Sequence, residues 1–265
     1  MSTKARLRAS YALMIVIITT VLVQVGCSIS HQLRDGAFQG SVFSYALLVL
    51  FAYMLGRLVW GIARQLYLSR RWIQHFRIQT HHERTKRLQH MYRHWGTEMI
   101  VVQDDSFVAL TIGLIRPRIV ISTMVLNTFS RMEVKAILLH ERYHCLHYDG
   151  AKLFLSSLAR DAFGYLPIVK PIVRFYETWK ELFADRYAIQ QMKTELHLGN
   201  VLLKLAKSQN LQPCRTAVYF AHPTLHYRVM QVLEPEIAVQ VPLALWKPLL
   251  RTCSILLLLI IGGDS

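Results

Sequence analysis

Five residues of this 265-residue chain have types and spacings that point to metal chemistry: His140, Glu141, His144, Glu181 and Asp185. Four positions apart on a helix, His140 and His144 lie one turn above each other on the same face. Two imidazoles so placed can bind one Zn²⁺ at about 2.0–2.1 Å each. Glu141 follows the first ligand directly and is angled beside the metal rather than at it. There it can take a proton from water activated by the ion, the general-base role in metal-dependent hydrolysis. Given the twelve histidines of the chain, chance produces an HExxH in about 1 such sequence in 50. By itself, then, the motif is also compatible with a surface helix carrying two solvated histidines. A catalytic zinc needs a third protein ligand and an open position. Glu181 can supply that ligand. Asp185, one turn later, can accept a hydrogen bond from the far nitrogen of a zinc-bound histidine and so fix its tautomer. Without the histidine pair these two carboxylates read as an exposed pair on an amphipathic helix; with it they read as ligand and orienting residue.

The elements that must position these groups carry their own signals. Ser130-Arg131-Met132-Glu133 is a capping box, and it opens a predicted helix through Val134, Ile137 and Leu138 to about Tyr148. A second helix is predicted over Ala151–Phe163, broken before Pro167. A third, Pro171–Met192, carries Glu181 and Asp185, and Leu196–Ala206 is a fourth. Ahead of them lie short β-like runs, Met99–Gln103, Phe107–Ile112 and Arg118–Ser122, punctuated by Asp104-Asp105-Ser106 and Gly113. They predict a small antiparallel sheet of two or three strands. The fold class is α+β and mostly helical, with no internal repeat.

The composition is 53% hydrophobic, and the apolar residues lie in blocks. Tyr11–Ile29 holds no charge and Val42–Ile62 holds only Arg57. Each is close to the ~20 residues that cross a hydrocarbon core as a helix. The block Leu249–Ile261 is shorter and carries Arg251; extended back to Pro242 it spans only if Lys247 and Arg251 snorkel or face protein. The first block, preceded by Lys4, Arg6 and Arg8, has the alternative reading of a cleaved signal peptide. It outruns a typical apolar region of about 7–15 residues and ends in no small-x-small site, so retention as an anchor is expected. A basic stretch follows the second block, from Arg64 to Arg93, with Arg70, Arg71, Arg77, Arg84, Lys86 and Arg87, and it supplies much of the net charge of +15. Cationic flanks stay on the cytoplasmic side. The expected organisation is a membrane region over 1–63 with two transmembrane helices, a cytoplasmic catalytic domain with basic juxtamembrane helices over 64–240, and a C-terminal transmembrane segment over 241–265. No nucleic-acid motif accompanies the charge, so anionic lipid is the expected partner and nucleic acid is not. His81, His82, His90 and His94 read as parts of a solvated basic helix. Cys27, Cys145, Cys214 and Cys253 form no CxxC pair and are expected as free thiols.

Four stretches occur in one order: Gly113–Ser122 (GLIRPRIVIS), His140–Asp149 (HERYHCLHYD), Glu181–Asp185 (ELFAD) and His222–Arg228 (HPTLHYR). In these the chain resembles the M56 metallopeptidases, the family of the BlaR1- and MecR1-type antirepressor membrane proteases. It also shares the HExxH…ExxxD arrangement of the gluzincins, among them membrane proteases of the HtpX and Ste24 kind. The resemblance covers roughly 101–233. It implies a zinc endopeptidase of a bacterial plasma membrane, multi-pass, acting on protein or peptide substrates, with His140, His144 and Glu181 as zinc ligands, Glu141 as base and Asp185 behind a ligand. It further implies that the strand holding Phe107, Val108, Ala109 and Leu110 is the edge on which a substrate peptide lies extended. His222 or His147 is the expected oxyanion donor, His147 having a solvated neighbour's role as its equal alternative. Pro223 and Arg228 are expected to be structural, Arg228 by pairing with a carboxylate. Sensor-type members carry an extracellular domain after their last span, and the expectation here is a member lacking it. Regulatory cleavage of a repressor, HtpX-like quality control and a non-catalytic membrane scaffold remain as roles, and the oligomeric state stays open.

Overall fold

The computed structural model describes residues 3–34, 42–209, 224–234 and 239–261. The elements run α1 (Thr3–Arg34), α2 (Val42–Ile78), α3 (His82–Met91), a single 3-10 turn (Arg93–Trp95), β1 (Glu98–Val102), β2 (Ala109–Ile112), β3 (Arg118–Ser122), α4 (Thr123–Thr128) and α5 (Arg131–Leu146). They continue with α6 (Asp149–Phe163), α7 (Val169–Met192), α8 (Leu196–Gln209), α9 (Leu225–Leu233) and α10 (Trp246–Ile261). The chain forms two compact units. One comprises Met1–Gln65, Phe154–Tyr176 and Pro242–Ser265; the other comprises Leu66–Leu153 and Glu177–Val241.

The first unit is helical. Met14, Val21 and Val25 of α1 are buried with Met54 of α2 and with Phe163, Leu166, Ile168 and Ile172. The remaining faces are also apolar: Ile15, Val16 and Val23 on α1 and Leu48, Val49, Tyr53, Val59 and Trp60 on α2 are exposed. Helices apolar all round are found in deep cores or in membranes. Among the described residues one helix, Thr3–Ser30, is long and apolar enough to cross a bilayer. α2 continues unbroken past Arg64 to Ile78, so the first part of the basic stretch prolongs the apolar block as one helix. α10 is 16 residues long, about 24 Å at 1.5 Å per residue. Pro171 falls in the first turn of α7, where its missing N–H has no helical partner to lose.

The second unit is built on a three-stranded sheet of order β1-β3-β2. The sheet is mixed, which corrects the antiparallel expectation. β1 pairs with β3 in parallel, Glu98 opposite Arg118 through Val102 opposite Ser122, and β2 pairs with β3 antiparallel, Ala109 opposite Ile121 through Ile112 opposite Arg118. The reason lies in β3. Ile119, Val120 and Ile121 are wholly buried, and so apolar a strand takes the centre, covered on both faces. Gly113, at φ 99°, turns β2 back onto β3, and β1 pairs with the other edge of β3. One sheet face, with Met99, Val101, Ala109, Ile119 and Ile121, packs with Val134, Ile137 and Leu138 of α5. On the other, Val102, Val108 and Val120 pack with Phe76.

α5 starts where its capping box requires. Glu133 N–H donates to Ser130 Oγ at 3.3 Å and Ser130 N–H to Glu133 Oε2 at 2.7 Å. Lys204 of α8 adds bonds of 2.9 and 2.8 Å to the same carboxylate.

Candidate metal centre

Two helices bring His140 and His144 of α5 and Glu181 of α7 together in the second unit, with ligand-type atoms all within 4.8 Å of one another. His140 Nε2 lies 3.2 Å from His144 Nε2 and 3.3 Å from Glu181 Oε2, and His144 Nε2 lies 3.8 Å from Glu181 Oε1. Tetrahedral ligands at about 2.0–2.1 Å from a zinc ion stand about 3.3–3.4 Å apart, so the spacing suits that ion.

The far nitrogens decide the tautomers. His140 Nδ1 donates to Asp185 Oδ1 at 2.8 Å, and His144 Nδ1 donates to Asp149 Oδ2 at 2.8 Å. With each Nδ1–H given to a carboxylate, it is the Nε2 of each ring that faces inward, and in its neutral form each ring offers an Nε2 lone pair beside the Glu181 carboxylate. Three electron-pair donors converging in a buried space call for a cation between them, and the residues therefore fit a metal.

Charge around the cluster is layered. Arg228 of α9 is fully buried and grips Asp185 with both arms, Nε to Oδ2 at 2.7 Å and Nη2 to Oδ1 at 2.8 Å. Its Nη1 comes within 3.6 Å of Glu181 Oε2. Lys180 Nζ sits 2.7 Å from Glu181 Oε1. Burial pushes Glu181 up, but Lys180 and the two histidines outweigh it and hold the carboxyl well below its usual value. Asp185 is likewise lowered, burial being outweighed by Arg228 and His140. For His140, burial and Arg228 disfavour the imidazolium, yet Asp185 and Glu181 overcome both and raise it to about 9.

Glu141 is buried beside the cluster, and Thr111 Oγ1 of β2 lies 2.9 Å from its Oε2. β2 is the sheet's outer strand and pairs only with β3 among the described residues. Of the four residues of the expected substrate edge, Ala109 and Leu110 lie in β2, while Phe107 and Val108 precede it. His147 caps the C-terminus of α5, exposed and stacked on Tyr143 at 3.9 Å, outside the cluster of three. His222, Pro223 and Cys214 fall outside the described residues. Cys27, Cys145 and Cys253 are free thiols, Cys145 buried.

Asp149, Lys180 and Thr111 have no role in the sequence reading. Asp149 reaches His144 because α5 stops at Leu146 and Tyr148 adopts φ 52°, a left-handed conformation uncommon for a bulky residue. The turn folds the start of α6 back under the helix. An Asp five positions past the second histidine was on view, but its contact depends on that turn. Away from the cluster, a cavity of about 320 Å³ opens between α2, α3 and the sheet, lined by Phe76, Arg77, Thr85, Met99 and Arg118 among others; it touches none of the ligand residues.

Two comparisons with known proteins bear on this arrangement. The family model described as BlaR1 peptidase M56 matches residues 2–232. The chain is also similar to "Regulatory protein BlaR1" of Bacillus licheniformis, at 28% identity over 159 residues, which cover 58% of this chain and 25% of that protein. The matched region thus spans a quarter of the relative's length.

Proposed function

We propose, from the premise that this chain belongs to the M56 peptidase family, that it is a membrane-bound zinc endopeptidase cutting protein substrates at the cytoplasmic membrane face. The observation that carries the reading is the buried triad of His140, His144 and Glu181, spaced as tetrahedral ligands with each histidine's outer nitrogen held by a carboxylate. His140, His144 and Glu181 would hold the zinc, which when bound would supply Lewis acidity and activate water for attack on a peptide carbonyl. The protein's own groups do the rest. Asp185 and Asp149 hold the imidazoles as lone-pair donors. Arg228 balances Asp185 and keeps its carboxylate from turning. Glu141 takes the proton of the attacking water and hands it to the departing amine. β2, open along one side among the described residues, offers its backbone to an extended peptide as an added strand, and it lies against α5 next to the base.

Membrane attachment rests on α1, whose Thr3–Ser30 stretch is long and apolar enough to span, and on the exposed apolar side chains of α2. The cationic run Arg64, Arg70, Arg71 and Arg77 at the end of α2 favours a cytoplasmic second unit. The relative at 28% identity is named a regulatory protein, and regulatory cleavage of a repressor is the role proposed.

The test is cleavage of a disordered protein by the purified chain in detergent. The wild type cuts it, and Glu141→Gln, with zinc retained, falls by at least about 10²-fold, the range expected for a general base. Equal rates would refute the proposal.

A further inference from the structure

The sheet face that packs on α5 is apolar at Met99, Val101, Ala109, Ile119 and Ile121. Thr111 shares that face, two residues beyond Ala109 on β2, and is its polar exception. Strand propensity does not ask for it, since valine fits a half-buried strand as well. A hydroxyl placed there is unfavourable unless it finds a partner.

Its partner is the base. Thr111 Oγ1 lies 2.9 Å from Glu141 Oε2, 3.0 Å from the Glu141 carbonyl oxygen and 3.6 Å from Cys145 Sγ. The hydroxyl has one proton to give, and an ionised carboxylate is the stronger acceptor. The terminal torsion of a glutamate is broad and roughly two-fold, so nothing in the side chain alone decides which oxygen faces the metal ligands. Thr111 engages Oε2 and leaves Oε1 without this bond.

We propose that Thr111 is a positioning residue that ties the carboxylate of Glu141 to β2, so that the base and the strand edge on which the substrate lies keep one register. The inference rests on the reading of Glu141 as base and β2 as substrate edge. One hydrogen bond then carries the alignment between a peptide added to β2 and the group that must meet its attacking water. Misplacement by about 1 Å is enough to slow such a step about 10²-fold.

Two measurements on the whole zinc-loaded chain in detergent test it. In steady-state cleavage, Thr111→Val lowers kcat about 10- to 100-fold with KM within about two-fold of wild type, and Thr111→Ser recovers most of the rate. In thermal unfolding, Thr111→Val lowers Tm in the wild-type background, and the drop shrinks by at least half when Glu141→Ala is already present. An unchanged kcat in Thr111→Val, or a serine variant as slow as the valine one, overturns the proposal. So does a Tm drop of the same size in both backgrounds, which would assign the hydroxyl to the fold alone. A wild type that cleaves nothing would sink the peptidase reading, and the unfolding comparison would still decide whether Thr111 and Glu141 are tied.

Discussion

Asp149 and Asp185 each accept one N–H hydrogen bond from a histidine and by doing so aim that histidine's other nitrogen. The two act from different directions: Asp185 from α7, locked by Arg228, and Asp149 from the first residue of α6, with Lys152 at 3.6 Å. Removing such an outer partner lowers metal affinity about 10- to 100-fold. Asp149→Asn is therefore expected to weaken zinc binding by that factor in a chelator competition, with all three side chains of the triad left in place. Zinc needs the lone pair on His140 Nε2, and with His140 raised to about 9 in the metal-free site, uptake at neutral pH releases protons and affinity rises with pH toward 9. The histidine pair and Glu141 are legible in the sequence because the helical repeat alone stacks the two histidines on one face and sets Glu141 beside it. Glu181 and Asp185 are legible as a pair four apart that a zinc site would need. Asp149, Thr111 and Lys180 are not. Asp149 reaches the cluster through a turn and Thr111 through strand-to-helix packing, which no local period encodes, and Lys180 is simply the neighbour of Glu181 on α7.

At the scale of elements, α5 is the part the sequence states most fully. Its cap, length and buried face all follow from Ser130, Glu133 and the spacing of Val134, Ile137 and Leu138. Ser130→Ala is expected to lower stability by about 0.5–2 kcal/mol, the usual range for losing an N-cap. Glu133 adds a pH dependence. Burial pushes its carboxyl up, but Lys204 and the Ser130 bonds outweigh burial and hold it below its ordinary value. A depressed carboxylate contributes stability that is present above its unfolded pKa of about 4.3 and is lost as pH falls through the folded one. The Tm gap between wild type and Glu133→Gln is thus expected to be full at neutral pH and to close below about pH 4. The sheet shows where the sequence stops. Its three strands are visible as β-branched runs, but their order is not, because β1 finds its neighbour across the β2–β3 hairpin rather than beside it in the chain.

At the scale of the whole molecule, the chain divides into a helical unit with apolar outer faces and a second unit that holds every residue of the metal cluster. The basic end of α2 sits at the junction along the chain, where charge sets orientation. A reporter inserted after Arg93 is expected to read cytoplasmic, and an extracytoplasmic signal would reverse the proposed orientation. The first unit also takes in Phe154–Tyr176, a stretch that the hydropathy blocks do not mark. The continuous helix from Val42 to Ile78 is not legible either, because the change from apolar to basic residues looks like an element boundary while the backbone runs straight through it.

Everything proposed for this protein depends on one ion held by three side chains, and zinc content per purified chain tests that most directly. Wild type and Glu141→Gln are predicted to carry one zinc each, and His140→Ala and Glu181→Ala to lose it. A wild type purified without zinc and unable to take it up, or a Glu181→Ala variant that keeps its full complement, would contradict the account.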